Sequence, residues 1–66
     1  MKGREFVKKL RRAGVSIEEK RGKGGHVLAT YNGKQTTVPT HGDKDFGPEF
    51  LKLICKKLGL DWREVL

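Results

Sequence analysis

Asn32-Gly33 is the dipeptide that most restricts how this chain can fold. Both central residues of a type I′ turn need positive φ, and Asn-Gly meets that need better than almost any other pair. A two-residue loop also fixes the register of the strands it joins. It opposes Tyr31 to Lys34, Ala29 to Thr36, Val27 to Val38 and His26 to Pro39. Opposed residues share a face of the sheet. Val27, Ala29, Tyr31, Thr36 and Val38 therefore form the more apolar face. His26, Leu28, Thr30, Gln35, Thr37 and Pro39 form the other. If helices cover the first face, His26 points away from the core. Pro39 cannot donate to a ladder and so ends the third strand.

The flanks supply the helices. Phe6, Val7, Leu10 and Ala13 recur at three- and four-residue spacing, which predicts a helix over 3–13 stopped by Gly14. Val15 to Arg21 reads as a short edge strand. Pro48 suits the first turn of a second helix, with Phe50, Leu51, Ile54, Cys55 and Leu58 as its stripe and Gly59 as its stop. Asp61 and Glu64 have the spacing of a capping box for a last short turn, anchored by Trp62, Val65 and Leu66. The expected fold is α+β: a small α-β-β-β-α sandwich. Its three-stranded antiparallel sheet carries two helices on one face, and a short C-terminal helical turn follows. With 66 residues it is a single domain over 1–66. A chain this short buries only about 60% of its unfolded surface, leaving no room for a large substrate cavity.

Charge is the next constraint. Residues 1–25 hold nine Lys/Arg against three Glu, a balance of +6; residues 26–66 hold six against five, a balance of +1. A basic half of this kind faces phosphate, in nucleic acid or an anionic surface, unless it is merely a solvated helix. Lone Cys55 excludes an internal disulfide and a cysteine-rich zinc site, and its apolar run suggests a small buried hydrophobe. No signal peptide or 18-residue apolar stretch is visible, so the expected location is the cytoplasm, with no membrane contact.

Few chemistries remain. The histidines stand fifteen residues apart, and no metal-ligand pattern is visible. Gly22-Lys23-Gly24-Gly25 lacks the Lys-Ser/Thr ending of a P-loop and precedes a strand. Ser16, the only serine, lies in a charged strand, which disfavours a serine nucleophile. What is left is His26 beside bare backbone and cations. Glycines at 22, 24 and 25 let a phosphodiester approach closely, and their N–H groups can hold an anion. Arg21 and Lys23 add charge. Histidine exchanges a proton near neutral pH. These are the parts needed to cut RNA without a cofactor or metal, although a histidine at a strand start can equally be a plain surface residue. Lys8, Lys9, Arg11 and Arg12 on the first helix are candidates to hold the RNA backbone. For His41 three roles stay open: second proton carrier, phosphate contact, or loop pin.

Four pieces of the chain resemble the HicA-type (YcfA-like) mRNA interferase toxins of bacterial and archaeal toxin–antitoxin pairs. They are Arg4-Glu5-Phe6-Val7-Lys8-Lys9-Leu10 running into Ala13-Gly14, then Lys23-Gly24-Gly25-His26, then Thr37-Val38-Pro39-Thr40-His41, and the helix end Leu58-Gly59-Leu60. The resemblance implies a double-stranded-RNA-binding-domain-like fold, metal-independent mRNA cleavage that arrests translation, and a HicB-type antitoxin that masks the histidine. It puts the catalytic histidine on His26 and the second family histidine on His41. Two departures matter. The family often has serine where Gly25 stands, and many members have a second histidine where Val27 stands. Proton transfer then falls on His26, with Lys23, His41 or water as helper. The free protein is expected to be a monomer. Two other classes accommodate the same residues: a non-catalytic RNA-binding module, which grips RNA by shape and phosphate, and a protein-interaction domain with an acidic partner.

Overall fold

The computed structural model describes residues 1–19, 25–40 and 45–66. Its elements run α1 (Gly3–Arg12), β1 (Ser16–Glu19), β2 (His26–Tyr31), β3 (Lys34–Pro39), α2 (Pro48–Lys57) and α3 (Trp62–Val65). The sheet is antiparallel throughout, in the order β1-β2-β3. The hairpin has the expected register, from Tyr31 opposite Lys34 to His26 opposite Pro39. Asn32 at φ 52° and Gly33 at φ 82° make the turn. β1 adds Ile17 opposite Ala29 and Glu18 opposite Leu28.

The helices cover one face of this sheet. Phe6, Val7 and Leu10 of α1 and Leu51, Ile54 and Cys55 of α2 share one buried cluster with Val27, Ala29 and Val38. The α+β sandwich expected from the sequence is thus the observed architecture. Among the described residues the opposite face is uncovered, with Glu18, His26, Gln35 and Thr37 exposed. Burial raises the pKa of the Cys55 thiol, and the Asp61 charge adds to that against an opposing backbone hydrogen bond. The residue is a core hydrophobe, as its position suggested.

Both long helices end in the same way. Gly14 at φ 95° lets the N–H of Val15 reach the Leu10 carbonyl at 3.0 Å, while the Gly14 N–H reaches Arg11 at 3.1 Å. Gly59 at φ 73° repeats this, with Leu60 donating to Cys55 at 2.8 Å and Gly59 to Lys56 at 3.0 Å. These are Schellman motifs, each with a buried apolar pair across the turn. They explain one difference from expectation. Val15 belongs to the end of α1 rather than to a strand, so β1 begins at Ser16. Residues 20 and 21, the expected end of that strand, lie outside the described residues.

Two long-range contacts tie the frame. Lys2 bridges Asp45, and the Phe46 N–H donates to the Met1 carbonyl at 2.8 Å. Gly3 lies buried where a Cβ would overlap the Pro39 carbonyl oxygen. At the other end, the Asp61 carboxylate accepts the Arg63 N–H at 3.0 Å and caps α3. Lys52 Nζ stands 4.4 Å from the centre of the Trp62 ring, which links α3 to α2.

Candidate nucleic-acid interface

His26 is the first residue of β2 and is exposed. Gly25 precedes it at φ 105°, a conformation L side chains rarely adopt. The Gly25 carbonyl accepts the N–H of Thr40, the residue after β3. Pro39 and His26 stand opposite as a non-hydrogen-bonded pair, so the missing proline N–H costs no bond to β2 and the ladder runs on through Gly25 and Thr40. The turn at Gly25 and its bond to Thr40 hold His26 at one end of the sheet.

A groove of about 330 Å³ opens at that same end. One wall is α1, through Arg4, Val7, Lys8 and Arg11; the other is the sheet end, through Glu19, Val27 and Thr40. Arg4, Lys8 and Arg11 follow four- and three-residue spacing, so one helical stripe turns all three cations the same way. Around α1 lies a second hollow of about 320 Å³, lined by Glu5, Lys8, Lys9, Arg11 and Arg12. The basic helix is therefore divided. Lys8 and Arg11 touch both hollows, Arg4 belongs to the groove beside the sheet, and Lys9 and Arg12 belong to the outer one. Lys9, Arg11 and Arg12 also occupy the last turn of α1, where positive charge suits the helix dipole.

Of the residues singled out in the sequence, His26 and Gly25 meet at the sheet end, and Lys8 and Arg11 face its groove. Arg21, Lys23, Gly24 and His41 lie outside the described residues. Arg4 is the addition. Its spacing to Lys8 and Arg11 was visible in the chain, but the groove that uses it needs Glu19, Val27 and Thr40 from three other segments. Among the described residues no cluster of three or more His, Cys, Asp or Glu is placed to hold a metal ion. No described helix is long and apolar enough to cross a membrane.

Fold and site together define a small basic α+β domain, with a cation-lined groove and an exposed histidine at one end of its sheet. Residues 3–60 match the family described as "HicA toxin of bacterial toxin-antitoxin". A protein of Pseudomonas fluorescens (strain Pf0-1), named "Probable mRNA interferase HicA", is 45% identical over 60 residues, covering 91% of this chain and 97% of that protein. The chain belongs to the HicA toxin family.

Proposed function

We propose that this chain is an endoribonuclease toxin that cleaves mRNA and thereby arrests translation. His26 is its proton-transfer residue. The observation that carries the reading is the placement of exposed His26, directly after the positive-φ Gly25, at the sheet end where Arg4, Lys8 and Arg11 line a groove. The stripe holds phosphates along the RNA, with Lys9 and Arg12 adding a weaker outer contact. Bare backbone at Gly25 lets the scissile phosphate approach the imidazole; Arg21, Lys23 and Gly24 precede it in sequence, and His41 follows Pro39 by two residues. The reaction needs no metal. The 2′-hydroxyl loses a proton and attacks its own phosphorus, and the departing 5′-oxygen gains a proton. A HicB-type antitoxin neutralises the toxin by covering this end of the sheet. The protein acts in the cytoplasm, where mRNA is translated, and is a monomer when free.

The test incubates purified protein with a mixed mRNA in excess EDTA beside a folded His26→Ala variant. Cutting by the parent alone supports the reading. Cutting by both moves the proton transfer off His26. If neither cuts and both retain RNA equally, the domain is a binding module.

A further inference from the structure

The open face of the sheet holds a second group suited to the same reaction. Glu18 lies on β1 opposite Leu28, and His26 stands two residues before Leu28 on β2. Two residues apart along a strand means the same face. Glu18 and His26 are therefore diagonal neighbours on the face that the helices leave uncovered, and both are exposed. Ser16, Thr30, Gln35 and Thr37 on that face are neutral, so Glu18 and His26 are its titratable side chains among the described residues. Sheet geometry sets diagonal Cβ atoms roughly 7 Å apart. At that spacing a carboxylate can come within about 3 Å of a 2′-hydroxyl while an imidazole comes as close to the 5′-oxygen of the adjoining phosphodiester.

We propose that Glu18 is the general base that pairs with His26 as general acid; this rests on the ribonuclease reading above. The Glu18 carboxylate takes the 2′-hydroxyl proton. The freed oxygen pair forms the new bond to phosphorus, and the bond from phosphorus to the 5′-oxygen breaks. The His26 imidazolium gives that oxygen its proton. The products are a 2′,3′-cyclic phosphate and a 5′-hydroxyl. Exchange with water returns the proton to His26 and removes the one on Glu18.

The experiment measures the cleavage rate of mixed mRNA from acid to alkaline pH for the parent, Glu18→Gln and Glu18→Asp. Folding is checked by circular dichroism and RNA retention by gel shift. The parent should give a bell-shaped profile, cyclic-phosphate ends and no cutting of 2′-O-methyl RNA. Glu18→Gln should cut at least about 100-fold more slowly. It should lose the acid limb of the profile yet hold RNA at least as well, since it removes a negative charge. Glu18→Asp should keep the acid limb and part of the rate. If Glu18→Gln cuts at the parent rate with the parent profile, Glu18 is not the base, while the ribonuclease reading stands. A Glu18→Gln loss confined to RNA retention overturns the assignment in the same way. If the parent leaves RNA intact, both readings fall.

Discussion

Gly3 packs its α-carbon against the Pro39 carbonyl so closely that any side chain at position 3 would occupy the same space as that oxygen. The neighbours on either side are the Thr40 α-carbon and the Phe46 ring, so little can move away. Gly3→Ala should cost about 1–3 kcal/mol, the usual range for overpacking. For a domain of this size that lowers Tm by at least about 4 °C, which thermal unfolding followed by circular dichroism would detect. A variant as stable as the parent would mean that the helix start is not pinned there.

Gly25 is held at φ 105°, so Gly25→Ala should be strained by about 1–3 kcal/mol. Because Gly25 also carries the carbonyl that accepts the Thr40 N–H, relief of the strain should displace His26. Cleavage should fall by more than the loss of folded protein explains. The check compares initial rates with the folded fraction measured on the same samples. Equal losses would make Gly25 a stability residue alone.

The division of α1 predicts a ranking among its cations. In a His26→Ala background, Arg4→Ala should weaken RNA retention and lower the slope of log affinity against log salt by about 0.7–0.9. Lys8→Ala and Arg11→Ala should do the same, since both line the groove beside the sheet. Arg12→Ala, on the outer hollow, should have the smaller effect. Gel shifts across a salt series test the order, and equal effects at Arg4 and Arg12 would refute the groove as the track.

Burial pushes the Cys55 thiol above its ordinary value of 9.0, so little thiolate forms at neutral pH. Native protein should resist iodoacetamide at pH 8, and denatured protein should react readily. The sign of the linkage also follows. The raised pKa contributes to stability below the unfolded value of 9.0, and that contribution is lost as pH rises through the folded one. Urea midpoints at pH 8 and pH 10 should therefore fall in that order. Equal alkylation rates in native and denatured protein would show that the thiol is accessible.

What the chain disclosed in advance was local. Asn32-Gly33 carries its turn type in two residues, so both hairpin strands and the side assigned to His26 were legible. Gly14 and Gly59 marked helix ends for the same reason. Val15 misled because its apolar, β-branched side chain suits a strand and a Schellman contact equally well, and only the hydrogen bond to Leu10 decides between them. Gly3 and Arg4 could not be read, since their roles depend on Pro39, Thr40 and Glu19 arriving from elsewhere. Glu18 is an intermediate case. Its facing partner follows only once β1 is paired with β2, and an edge strand of four residues gives no turn signal to set that register.

The bridge from Lys2 to Asp45 has a kinetic meaning. It joins positions far apart in sequence, and such closures are the slow part of folding a small domain. The start of α1 is held by Pro39, Thr40 and Asp45, so the groove that this helix lines with the sheet end is complete only when the chain through residue 45 is available.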